Sequence, residues 1–465
     1  MEATRVTRFN IGALSPRLRL ELSRASFISF DCEFTGLGDS AATRAQDLRV
    51  RYAALRTTAT TRGLVSFGVA AFQQGKDDSA DDSAAALDFC VTSMGNVVFE
   101  PAAAAFLSDH NFDFNKHWKD AVPFKPGNDS SDHSLPGTPN QLIRDLFVYI
   151  LSLNVPIVIH NGLLDLMFIY QSFYAELPEE LDTFVADLAD MFPAGLVDTK
   201  FVADYVTRER ASFLGYLFRK YERKMLKSYH PYLSLSPAIQ VNPSVPASIL
   251  LPNGQISATL SFKLLTKLPD TLKSKKTTKR TKQAEKDEKR LYCVQYASHG
   301  YCPNGPACHK SHDLDTILDA EELEAQLNQR KKSKSLTDGS IDPVTVPTTT
   351  SNTASATAST ELTPIPIQSQ TPLPPITPSL FETYHSACFD AYMTGYVFSV
   401  QQRMHPSESI SEFVKAHGNK LYLMGKDVPL HIVKSSFSRT SLEHRRKKKV
   451  WSVNGSSGTV SGIAK

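Results

Sequence analysis

Cysteine and tryptophan are scarce: 465 residues carry six of the first and two of the second. Six cysteines in a chain this long do not make a secreted disulfide scaffold, and the count points to a reducing compartment. A signal-like leader is lacking, since Met1-Glu-Ala-Thr-Arg-Val-Thr-Arg8 has no apolar stretch. No uncharged apolar run is long enough to cross a bilayer, so a soluble intracellular protein without a membrane partner is expected. An excess of charge is lacking too. The 51 Lys and Arg nearly balance the 48 Asp and Glu, leaving +3. Whole-molecule charge therefore selects no partner, and only local clustering of basic residues can.

What the chain does have is apolar patterning, since hydrophobic residues make up 41% of it. Phe27–Phe34, Leu64–Phe72 and Ala86–Thr92 read as strands, with a polar hairpin loop at Gln74–Ser83. Gln141–Leu153 has helical spacing, Pro156–His160 reads as a short buried strand, and Asn161–Tyr174 continues as a helix. Strands first and then alternating elements predict an α/β fold with a mixed sheet. Lys273–Arg290 holds nine Lys or Arg against three acids and reads as a solvated linker. Thr316–Gln329 reads as a helix ending in basic residues. Ser333–Leu380 is Ser/Thr/Pro-rich without aromatics before its end, a composition too poor in apolar surface to order. Order returns at Phe381, where an aromatic-rich helix starts, and Leu421–Ser436 reads as two strands around a turn at Gly425. That tail is too short to fold alone and is expected to complete the first domain.

Two acids, Asp31 and Glu33, end the first predicted strand. Period-two alternation puts both on one side of the sheet, where their repulsion calls for a hard divalent cation. Asp165 follows the Pro156–His160 strand, and Asp390 lies in the late aromatic helix, five residues after His385. Four acids and a histidine suit two-metal phosphodiester hydrolysis, in which a histidine with a reference pKa of about 6.5 can serve as general base.

These segments resemble a known family. Phe30-Asp31-Cys32-Glu33-Phe34-Thr35-Gly36-Leu37, His160-Asn161-Gly162-Leu163-Leu164-Asp165-Leu166-Met167-Phe168 and His385-Ser386-Ala387-Cys388-Phe389-Asp390 are similar to the three motifs of DEDDh exonucleases, in the form found in the Pop-two/Caf-one and PARN-like deadenylases. The resemblance implies an RNase H-like fold and 3′→5′ exoribonuclease activity. It assigns two Mg²⁺ ions to Asp31, Glu33, Asp165 and Asp390, and the general base to His385. Phe34 would pack on the 3′-terminal nucleotides, or serve as a core aromatic. The expected organisation is a nuclease segment at 15–223, a linker with a basic run at 224–291, a zinc finger at 292–313, a short helix and basic run at 314–332, a disordered linker at 333–380, the C-terminal nuclease segment at 381–439 and a basic disordered tail at 440–465.

Three of the six cysteines fall together. Cys293-x8-Cys302-x5-Cys308-x3-His312 has the spacing of a CCCH finger, whose four ligands suit a closed, structural Zn²⁺. Cys32, Cys90 and Cys388 read as core residues instead. Such fingers bind single-stranded RNA on aromatic faces, here Tyr292, Tyr296 and Tyr301, or bind protein. Basic runs at Lys273–Arg290, Arg330–Lys334 and His444–Lys449 offer phosphate contacts or nuclear import signals. The leading expectation is a nuclear enzyme acting on single-stranded 3′ ends, preferably oligo(A), of small nuclear or other non-coding RNAs. The alternatives are an RNA-binding adaptor with a vestigial nuclease fold and a DNA 3′ exonuclease.

Overall fold

In the computed structural model residues 3–75, 83–128, 137–227, 290–337, 386–405 and 409–456 are described. The strands are β1 (Thr4–Val6), β2 (Phe27–Phe34), β3 (Leu64–Gln73), β4 (Ser83–Ser93), β5 (Val122–Phe124), β6 (Ile157–Ile159), β7 (Leu196–Asp198), β8 (Lys420–Leu421) and β9 (Leu430–His431). They form one mixed sheet in the order β1-β4-β3-β2-β6-β7-β8-β9, with β5 also paired to β4. β2 runs antiparallel to β3 and parallel to β6, so it is the central strand where the meander meets the parallel part.

The two faces of β2 serve different cores. Ile28, Phe30 and Cys32 join Phe147, Leu166, Phe168 and Phe173 on one side. Phe27 joins Ala70, Phe72, Tyr392 and Phe398 on the other. That second side is covered by the Ala387–Arg403 helix, which is buried almost throughout. Phe27 stacks on Phe72 at 4.9 Å and meets Phe398 edge-on at 4.6 Å. The Ser29 hydroxyl donates to the Ala391 carbonyl at 2.6 Å. Burying each aromatic contributes about 1.5–3 kcal/mol before chain entropy is subtracted, which is large beside a typical net stability of about 5–15 kcal/mol. Lys420 of β8 pairs in turn with Val197 of β7, so the segment after the helix adds the sheet's far edge.

Close approach of that helix needs missing side chains. Gly68 lies opposite Asp31 in the β2–β3 ladder, and a Cβ there would meet the Ala387 carbonyl oxygen at 1.9 Å. Gly395 packs its Cα on the Phe72 ring, where a Cβ would come to 2.0 Å.

Several expectations need correction. The first segment begins before residue 15, because Thr4–Val6 pairs in parallel with Leu87–Phe89 of β4. The basic tail from 440 is not disordered as far as residue 456: Leu442–Ser456 is a helix. His444 is fully buried there, its Nδ1 2.7 Å from the Tyr174 hydroxyl. The Ser441 amide donates to Asp187 at 2.9 Å, and Lys434 and Lys448 each pair with Asp190 at 3.1 Å. The charge run thus conceals an amphipathic docking face. The Leu314–Thr337 helix extends past 332 into the first residues of the supposed Ser/Thr/Pro linker. The rest of that linker, most of the basic linker and most of the Gln74–Ser83 loop lie outside the described residues.

Alanine in place of a strand glycine normally gains about 0.5–1 kcal/mol. At Gly68 overpacking against Ala387 should cost about 1–3 kcal/mol and reverse the sign. Gly68→Ala is therefore expected to lower the urea midpoint at unchanged m-value.

Candidate active site

Three of the four predicted acids converge. Asp31, Glu33 and Asp390 each bring a carboxylate oxygen to within 4.8 Å of the other two, and all three are partly buried. Asp31 and Glu33 project from the β2 face that the Ala387–Arg403 helix covers. Asp390 lies in that helix's first turn, where Ser386 caps the Phe389 amide and the macrodipole favours an anion. Asp165 occupies the first turn of the Leu163–Ile169 helix. It stands outside the three-acid group and hydrogen-bonds the Cys32 amide and thiol. His385 lies outside the described residues.

The cluster is electrostatically strained without a cation. Burial first, and then Asp390, Asp165 and Glu33, hold the Asp31 carboxyl well above the usual carboxylate range. Glu33 is raised in the same way by burial, Asp390 and Asp165. Burial pushes Asp165 up to about 7, against the pull of its own and the Cys32 backbone amides. Oxygen donors packed this way fit one or more hard divalent ions.

The loop that leaves β2 is fastened firmly. Glu100 accepts from the Leu37 and Gly38 amides at 3.2 and 3.0 Å, and Arg62 pairs with it at 2.8 Å. The Thr35 hydroxyl donates to Val98 and accepts from the Gly63 amide. Reading the motifs overlooked Glu100. Its signal was the Pro101 that follows it, which marks a helix start and makes Glu100 the cap position. Asp198 was another omission. It is fully buried and accepts from the Asn161, Lys200 and Tyr422 amides, tying β6, β7 and β8 at the end nearest Asp165. Phe34 stacks on Phe168 at 4.3 Å, so one ring face is taken.

The four residues of the cysteine cluster also come together. Ligand atoms of Cys293, Cys302, Cys308 and His312 lie within 4.8 Å of one another. The His312 Nε2 is buried and makes no hydrogen bond, which fits a nitrogen turned toward a metal. Three thiols and an imidazole are the donor set of structural zinc. The tyrosines are a correction. Tyr292 and Tyr296 are each only 4% exposed. Tyr296 stacks on His312 at 4.5 Å and meets Phe213 edge-on, so neither can offer a base an open face. Tyr301 alone of the three stays partly exposed.

A sheet that gathers acids from a central strand and a distant helix has the donor arrangement of a metal-dependent hydrolase. The chain belongs to the CAF1 family of ribonucleases, whose sequence model matches residues 6–135 and 138–398. It is 31% identical over 131 residues to the poly(A)-specific ribonuclease PARN of Danio rerio, an alignment spanning 26% of this chain and 20% of that protein. Among solved structures it is similar to S. pombe Pop2p in a Mg²⁺- and Mn²⁺-bound form (15% identity, 48% of this chain and 82% of that one, TM-score 0.37). The RNase domain of yeast Pop2 is a further neighbour (12% identity, 47% and 74%, TM-score 0.33). No described helix is long and apolar enough to cross a membrane.

Raised carboxyl pKa values mean that the metal-free fold binds more protons than the unfolded chain. For Asp165 the stabilisation is complete below about pH 4 and is lost as the pH rises through about 7, and Asp31 and Glu33 act in the same direction. Buried His117, His160 and His444 have lowered values and act in the opposite sense. Comparing melts with and without Mg²⁺ at each pH cancels the histidine contribution. Mg²⁺ should raise the melting temperature by at least about 2 °C at pH 8 and by less at pH 5.5. Asp390→Asn should shrink the pH 8 shift.

Proposed function

We propose that this protein is a divalent-metal-dependent 3′→5′ exoribonuclease of the deadenylase type. The observation that carries the reading is the meeting of Asp31 and Glu33 with Asp390 in a chain of the CAF1 ribonuclease family. When bound there, Mg²⁺ would neutralise the phosphate charge and lower the pKa of an attacking water. Asp31, Glu33 and Asp390 would hold the ions, with Asp165 turning from Cys32 to complete the set. His385 would take the proton from the water. The loop from Phe34 to Gly38, fixed by Glu100, would line the path of the 3′ end.

An RNase H-like topology, a structural Zn²⁺ at Cys293, Cys302, Cys308 and His312, and a single-stranded oligo(A) preference belong to the same reading. Beyond the three motifs, Met191–Lys200, the finger placed between the second and third motifs, and Leu421–Leu430 resemble the deadenylase called target of early growth response protein one. That resemblance supports small nuclear RNA precursors as substrates and a nuclear location. An import signal would fall in Lys273–Arg290 or Arg330–Lys334, since His444 and Lys447 of the third basic run are buried in the fold.

The test is single-turnover cleavage of 5′-labelled RNAs ending in oligo(A) or mixed sequence, with the matched DNA as control. Stepwise loss of 3′ nucleotides from RNA, abolished by EDTA and by Asp31→Asn, is the expected result. His385→Ala should slow the step about 10²–10⁴-fold while leaving RNA affinity intact. Equal degradation of DNA would reassign the substrate, and full activity in Asp31→Asn would remove the acids from the mechanism.

A further inference from the structure

One helix, Leu214–Lys227, packs both against the helix that follows the cysteine cluster and against the Ala387–Arg403 helix that carries Asp390. Toward the cysteines, Phe213 just before the helix meets Tyr296, which is stacked on His312. Gly300 closes the short Val294–His299 helix at φ +70° and lies so near Phe213 that a Cβ would come within 2.8 Å of its ring. The helix that follows the cysteine cluster is locked down as well. Arg219 grips Asp315 with two hydrogen bonds of 2.8 Å. Arg223 reaches Asp315 at 3.0 Å and also pairs with Asp319, while the Tyr216 hydroxyl donates to Glu321 at 2.6 Å.

Toward the acids, Phe218 packs edge-on against Phe389, Tyr392 and Tyr396, at 5.9, 6.3 and 5.1 Å between ring centres. Phe389 and Tyr392 lie within two residues of Asp390, and Tyr392 also stacks on Phe72 of the sheet at 5.8 Å, so its ring touches both neighbours of the helix. The helix that carries Asp390 is thus held between the sheet and the Leu214–Lys227 helix, and Phe213 just before the latter packs on Tyr296 beside the cysteine cluster. A finger of this size has too little apolar core to keep its shape without metal. Loss of zinc would loosen Phe213, Tyr296 and the segment leading to Asp315, and with them the support behind Asp390.

We propose that zinc at the Cys293/Cys302/Cys308/His312 site and divalent metal at the Asp31/Glu33/Asp390 site bind cooperatively, coupled through the Leu214–Lys227 helix with Phe218 as a positioning residue. This rests on the reading of both clusters as metal sites. The finger is then a buttress of the catalytic centre and not a detachable RNA-binding module.

The test is Mn²⁺ titration of the full chain without RNA, followed by electron paramagnetic resonance, before and after zinc is stripped. Zinc removal is expected to weaken Mn²⁺ binding roughly tenfold, in the range usual for linked sites. Reciprocity requires saturating Mg²⁺ to raise, by a similar factor, the concentration of a chromogenic chelator that removes half the zinc. Phe218→Ala keeps all four zinc ligands. It should retain one zinc and a cooperative melt, bind Mn²⁺ more weakly than wild type, and lose most of the Mg²⁺ protection of zinc. Mn²⁺ affinity indifferent to zinc, together with chelator curves indifferent to Mg²⁺, would overturn the coupling and leave both sites standing. Wild-type protein that binds no Mn²⁺, or that carries no zinc as purified, would overturn it by removing one of the sites. Where stripped protein unfolds, the chelator curves and Phe218→Ala decide the matter alone.

Discussion

Like charges have to be kept together here by groups that carry none. Asp31 and Asp390 approach within 4.8 Å although more than 350 residues separate them in the chain. Two ionised carboxylates about 4 Å apart repel by roughly 4 kcal/mol at a near-surface dielectric. The opposing force comes from Phe27, Phe72 and Phe398, each contributing about 1.5–3 kcal/mol on burial, and from the Ser29–Ala391 hydrogen bond. The side chains of one strand face are therefore divided by position: Phe27 and Ser29 at its start bear the load, and Asp31 and Glu33 at its end carry the site. Burial first, and this repulsion after it, raise the Asp31 and Glu33 carboxyl pKa values.

Much of this arrangement was legible in the sequence, for identifiable reasons. A strand ending in Asp31-Cys32-Glu33 declares its own face, since period two leaves no choice about where alternate residues point. The aromatic density of the Ala387–Arg403 helix announced burial on more than one side. The Cys293-to-His312 spacing is short enough for the four ligands to be picked out as one local group. What could not be read depended on partners remote in the chain. Asp165 turns toward Cys32 because the Leu163–Ile169 helix approaches β2 from the opposite core. Tyr296 looks like an open stacking face until Phe213 and His312 are brought to it. The His444–Lys449 run reads as solvated charge until Tyr174, Asp187 and Asp190 supply a docking face.

The fold also separates rigidity from chemistry. Asp198 binds three backbone amides and contributes no oxygen to the carboxylate group, yet it fixes the strand ends beside Asp165. Glu100 likewise holds the loop after β2 without joining the acids. Both are charged groups spent on backbone amides, a use that short catalytic motifs do not record.

The order in which the chain is made turns the late position of the Ala387–Arg403 helix into a problem of timing. β2 and β3 are complete by Gln73, but the helix that covers Phe27, Ala70 and Phe72 follows about 300 residues later. At a synthesis rate of about 5–20 residues per second, that half of the sheet waits roughly 15–60 s for its cover. During this interval the nascent chain presents an apolar β surface to solvent and lacks the third member of the Asp31, Glu33 and Asp390 cluster. A chaperone would meet the protein at this stage, and a ribosome stalled before the Ala387–Arg403 helix would release a chain whose apolar face stays bare and whose acids never meet.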